Sequence, residues 1–162
     1  MPACTFFGHR DCPESIKPKL RATLVHFIEH LRIHQFYVGR PGAFDALVLS
    51  VLQELTEKYP YIRYEIVLER RPGKRASNPT LDFSHTIFPE ELANVPPRWA
   101  IAHRNAWMLR HSDYVVAYVS HSWGSAAQMI AQTVHQKKIL LNLASPAGSA
   151  PACLSGNFPG AN

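Results

Sequence analysis

Short β-prone runs alternate along this chain with stretches whose apolar residues recur every three or four positions, and that alternation admits very few folds. The β-prone runs fall at residues 3–7, 34–38, 62–68, 114–119 and 138–143. After the first, Asp11-Cys12-Pro13 supplies a helix start, and Ile16, Leu20, Leu24, Phe27 and Leu31 form one apolar face. A second helix follows Gly42, with Phe44, Val48, Val51, Leu52 and Leu55 inward, and stops at Tyr59-Pro60. Two more are predicted over 98–110, with Trp99, Ala102, Ala106 and Leu109 on one side, and over 123–135. Strand–helix–strand units close by a right-handed crossover, so the strands lie parallel and helices cover both faces. The expectation is an α/β fold: a three-layer, Rossmann-like parallel sheet of about five strands.

Two segments stand outside that pattern. Residues 69–97 hold prolines at 72, 79, 89, 96 and 97 and read as a long irregular loop of the kind that often serves as a lid, with one helical turn at 89–93. Residues 145–162, rich in Pro, Gly, Ala and Ser, have little to bury and read as a flexible tail behind a single domain over 1–144. No apolar run reaches the roughly 18 residues that span a bilayer, and the amino terminus lacks a signal-peptide pattern. Cys4, Cys12 and Cys153 are odd in number and form no CxxC pair. Free thiols and a cytoplasmic location are therefore expected, with no membrane partner.

The formal charge is +5, a mild excess that suits an anionic ligand and weak contact with nucleic acid. Its densest run is Arg70-Arg71-Pro72-Gly73-Lys74-Arg75, which reads as a solvated loop, a phosphate clamp or a nucleic-acid contact. Parallel sheets of this kind bind ligands outside the carboxyl ends of their strands, where strand order reverses. Three junctions there are rich in small or polar residues. They are Gly8-His9-Arg10, then Gly39-Arg40-Pro41-Gly42-Ala43-Phe44-Asp45, then Ser120-His121-Ser122-Trp123-Gly124-Ser125-Ala126. Glycine lets backbone approach a ligand, and a helix that starts at such a junction presents free N–H groups to an anion. Arg10 and Arg40 can add charge-assisted bonds. His9 reads either as a ligand contact or acid–base group, or as a loop histidine bonded to backbone. Trp123 reads as a stacking or a packing residue, and Asp45 as a helix cap or a ribose contact. Asp113 reads as a structural turn residue. His26, His30 and His34, four apart beside Glu29 and Arg32, read as a solvated helix face, so no metal and no required cofactor are expected. Serines 120, 122 and 125 form no G-x-S-x-G elbow.

The order Phe6-Phe7-Gly8-His9-Arg10, then 39–45, then Arg104-Asn105-x-x-Met108 with Ser112-Asp113, then Gly124-Ser125 resembles the SLOG superfamily. That superfamily includes the DNA-processing Smf/DprA proteins and the LOG phosphoribohydrolases. Over about 5–143 the chain is most similar to the YpsA-like bacterial and phage group. The resemblance implies a Rossmann-like domain, a nucleotide or nucleotide-derived ligand, and a helix motif, Arg104-Asn105, that faces it. It is also compatible with a homodimer.

The chain departs from the LOG pattern P-G-G-x-G-T-x-x-E: Ser125 replaces the threonine, Gln128 the glutamate, and His121 and Ser122 the leading glycines. Glutamine supplies no carboxylate, so a binding or sensing module is the first expectation. The alternative is an N-glycosidase of the phosphoribohydrolase type that uses Asp45, Glu69 or Asp82 instead. A nucleic-acid-binding domain of the Smf/DprA type is the second alternative.

Overall fold

The computed structural model describes residues 2–39, 42–71 and 85–144. Arg40, Asp82, Cys153, the basic run beyond Arg71 and the 145–162 tail lie outside the described residues. Among the described residues there are six strands: β1 (Ala3–Gly8), β2 (Gln35–Val38), β3 (Arg63–Val67), β4 (Thr86–Ile87), β5 (Tyr114–Tyr118) and β6 (Ile139–Asn142). Four α-helices accompany them: α1 (Lys17–Glu29), α2 (Ala43–Lys58), α3 (Ala100–Arg110) and α4 (Ser125–His135). The sheet runs β4-β3-β2-β1-β5-β6, every pair parallel. The strand missing from the sequence reading is β4, two residues that pair Thr86 with Ile66 and Ile87 with Val67. It lies in the segment read as irregular, and two residues are too few to show a period. The helical turn expected at 89–93 is there, as a 3₁₀ turn at Glu90–Leu92.

Side-chain alternation along the strands divides the core between the two faces. Phe6 and Val116 join Leu20, Leu24, Phe27, Phe44, Val48 and Val51 under α1 and α2. Phe7, Val115 and Ala117 join Met108, Leu109 and Met129 under α3 and α4. Strands with apolar residues on both faces are those of a sheet covered on both sides. Each fully buried Phe or Leu contributes roughly 1.5–3 kcal/mol relative to exposure. Asp113 stitches the start of β1 to β5: its carboxylate accepts from the Ala3 N–H at 3.2 Å, and its own N–H donates to the Ala3 carbonyl at 2.9 Å.

The predicted inward residues of α2 are all buried, and so are those of α1 except Leu31, which is half-buried. Helix α3 differs. Trp99 and Ala102, expected inward, are exposed, and the buried face carries Ala100, Arg104, Asn105, Met108 and Leu109. Apolar periodicity passes over this face because two of its five members are polar. Trp99 precedes the helix in a 3₁₀ turn at Pro97–Trp99, its ring under the Arg98 guanidinium. Helix α4 begins at Ser125, two residues after Trp123, where it was expected to start. Among the described residues no helix is long and apolar enough to cross a membrane.

Candidate ligand site

The chain builds outward from β1 through β2 and β3 to β4, then returns to the other side of β1 to lay down β5 and β6. Strand order therefore reverses between β1 and β5, and their following loops must part there, leaving a crevice. The junction is tight at its base, where the His9 N–H donates to the Tyr118 carbonyl at 3.1 Å. Above it the crevice has two lobes that share Gly8, Arg10, Ser125 and Ala126.

The smaller lobe, about 120 Å³, adds Gly39, Asp45, Ile101, Arg104, Asn105 and Met108 to its walls. Two glycines make room for it. A Cβ on Gly8 would lie 2.3 Å from the Phe44 ring, so only glycine lets the start of α2 settle on the end of β1. A Cβ on Gly39 would lie 3.1 Å from the Arg104 guanidinium, which rests on the end of β2. Arg104, 5% exposed, is fixed by Nη1 donating to Glu69 Oε2 at 3.1 Å and Nη2 to Asn105 Oδ1 at 3.2 Å. Asp45 stands in the first turn of α2 and is half-buried. Burial pushes its carboxyl up to about 6, and the nearby Arg104 charge opposes only part of that. The lobe thus combines a fixed cation, an amide and a carboxyl that changes charge near neutral pH.

The larger lobe, about 320 Å³, is walled by His9, Asp11, His121, Trp123 and Gly124 besides the shared residues. The rings of His9 and His121 stack at 3.5 Å, and those of His121 and Trp123 at 3.7 Å. His121 Nδ1 lies 3.0 Å from the Trp123 carbonyl. His9 is buried, and its Nε2 has no hydrogen-bond partner among the described residues. Burial lowers its pKa, as does neighbouring His121, against a smaller opposing pull from Asp11. Gly124 caps α4 at φ +98°, with open space where a Cβ would stand. With ψ at 171° it lies in a region essentially reserved for glycine, and a non-glycine residue there would cost roughly 1–3 kcal/mol. The first turn of α4 has no acidic residue and its cap gives no side-chain bond, and Gly124, Ser125 and Ala126 line the lobe, so the positive dipole end of the helix borders it, with Asp11 on another wall.

The residues singled out in the sequence divide as follows. Gly8, Arg10, Gly39, Asp45, Arg104, Asn105 and Ser125 line the smaller lobe; Gly8, His9, Arg10, Trp123, Gly124 and Ser125 line the larger. Gly42 lines neither, but the position of its missing Cβ is 3.8 Å from both Arg10 and Asp45. Ala43 lines a separate depression with Cys12 and Lys17. Cys12 is buried there, and desolvation with the Asp11 charge pushes its thiol up to about 11. Ser120 is exposed and borders neither lobe. His26 and His30 stack at 4.8 Å, and among the described residues no group of three or more His, Cys, Asp or Glu could hold a metal ion.

Asn142 went unnoticed in the sequence. Its amide pairs with the Val119 N–H at 3.1 Å and the Val119 carbonyl at 2.9 Å, and so holds the base of the loop that carries His121 and Trp123. Nothing in its neighbourhood distinguishes it from any other strand-end asparagine. Ile101, exposed, and Met108, buried, were likewise missed as walls of the smaller lobe. A scan against protein-family models matches none, and a search of curated proteins finds no match.

Proposed function

We propose that this chain binds a nucleotide or a nucleotide derivative, with a phosphate group on the first turn of α4 and Arg10 beside it, as a binding or sensing module of the SLOG superfamily. The observation that carries this reading is the start of α4 at positive-φ Gly124, which no side chain caps and which borders a crevice that Arg10 also lines. Backbone N–H groups, a dipole end and a guanidinium together favour an anion. The start of α2 is the poorer anion seat, because Asp45 already occupies its first turn. Hydroxyl-bearing ligand atoms suit the smaller lobe, where Asn105 and Asp45 offer hydrogen-bonding groups. The test is calorimetric titration with nucleoside 5′-monophosphates and with ribose 5-phosphate. Absence of any heat of binding at millimolar ligand would sink the reading.

One observation favours a second, catalytic reading. Asp45 sits in the smaller lobe with a carboxyl pushed up to about 6. A carboxylic acid poised near neutrality can protonate a departing base while water adds to the sugar carbon. Of the other candidate carboxylates, Glu69 is committed to Arg104. Release of free base from nucleoside monophosphates by the wild type, lost in Asp45→Asn, is the expected result. A wild type that binds these nucleotides but releases no base would remove the reading.

A further inference from the structure

Three rings rise along the wall of the larger lobe. Their centroids step by 3.5 Å from His9 to His121 and by 3.7 Å from His121 to Trp123, with interplanar angles of 11° and 19°. The end-to-end distance, His9 to Trp123, is 6.5 Å with an interplanar angle of 30°, so the three form a bent column with His121 in the middle. The lower end is anchored, because His9 is 7% exposed and its N–H is bonded to Tyr118. The upper end is open: Trp123 is 70% exposed, although one face of its ring is covered by His121.

An exposed tryptophan often needs no explanation. This one is held in a fixed plane by the rings beneath it, and it directly precedes Gly124, the cap of α4. A planar group laid on it would form the next step of the column without first ordering the ring, which lowers the entropic cost of stacking. Every nucleobase has a π-face of the required kind, whatever its hydrogen-bonding edge.

We infer that the open face of Trp123 is a stacking shelf for the base of a nucleotide whose phosphate sits on the first turn of α4. The inference rests on the phosphate reading proposed above and adds to it the position of the base: at the solvent mouth of the larger lobe, away from Asp45 and Arg104. Stacking discriminates little between bases, so the shelf gives affinity for a base-bearing ligand over its base-free counterpart more than preference among the four common bases.

The experiment compares AMP with ribose 5-phosphate, which share sugar and phosphate and differ by the base. Both are titrated calorimetrically into wild type, Trp123→Ala and Trp123→Phe. Trp123 is exposed, so these variants keep the fold. AMP should bind wild type more tightly than ribose 5-phosphate does. Trp123→Ala should weaken AMP by about 5- to 150-fold and leave ribose 5-phosphate within about twofold, and Trp123→Phe should recover most of the loss. Equal affinity of wild type for the two ligands would overturn the shelf and leave the phosphate reading standing. Equal weakening of both ligands by Trp123→Ala would overturn it too, because the ring would then only hold the loop. A wild type that binds neither ligand would overturn the phosphate reading and the shelf with it.

Discussion

Asp45→Asn should make the protein more stable at neutral pH, although it removes a carboxyl from the wall of the smaller lobe. Burial holds the Asp45 carboxyl at about 6, against an ordinary 3.8. At about 1.4 kcal/mol per pH unit, that rise is worth ~3 kcal/mol at most. The sign follows from proton uptake. Between pH 3.8 and about 6 the folded state holds a proton that the unfolded chain has lost, so this group's contribution is full below 3.8 and gone above about 6. Above 6 the wild type carries a poorly solvated carboxylate that asparagine, nearly isosteric and neutral, replaces without charge. The variant should therefore match the wild type near pH 4 and exceed it by about 1–3 kcal/mol near pH 8, the lower end allowing for solvent at a half-buried site. For a chain of this size that is a rise of several degrees in Tm, at roughly 2–4 °C per kcal/mol. Urea titrations of both proteins at four pH values would measure it. A variant no more stable at pH 8 than at pH 4, each relative to wild type, would refute the burial argument.

Gly8→Ala should cost about 1–3 kcal/mol, read as a lower urea midpoint, because the new methyl would meet the buried Phe44 ring at 2.3 Å. Asn142→Ala should cost about 1–3 kcal/mol and speed amide hydrogen exchange over residues 119–125, because both bonds to Val119 are lost together. His9 is held below its ordinary pKa of 6.5, so the unfolded chain takes up a proton that the folded one resists, and stability should fall as pH drops through that value. The acid sensitivity should shrink in His9→Gln. Unchanged sensitivity would assign it to other groups.

The layered sheet was legible because its long elements carry strong periods: the inward face of α2 could be read from Phe44, Val48, Val51, Leu52 and Leu55. The rule that ligands lie outside the carboxyl ends of strands then selected Gly8, Gly39 and the 120–126 loop without further information. What escaped has common physical causes. The buried side of α3 is partly polar, so a search for apolar residues turned the helix and placed Trp99 and Ala102 inside. Strand β4 is held by its pairing with β3 rather than by any pattern of its own. The ring column joins His9 to His121 and Trp123, residues more than a hundred positions apart that no local spacing could associate. Asn142 acts through a side-chain copy of strand pairing, visible only once β5 and β6 lie side by side.

The central claim, an anion seated on the start of α4, is tested most directly by titrating AMP into wild type and Ser125→Asp in a calorimeter. Ser125 is exposed in the first turn, where a carboxylate complements the helix dipole and should stabilise the fold by about 0.3–1 kcal/mol. The same carboxylate would occupy the phosphate's place with the same sign of charge. The account predicts binding to wild type and none to a variant that is folded and at least as stable. Equal binding to both proteins would place the ligand elsewhere and contradict it.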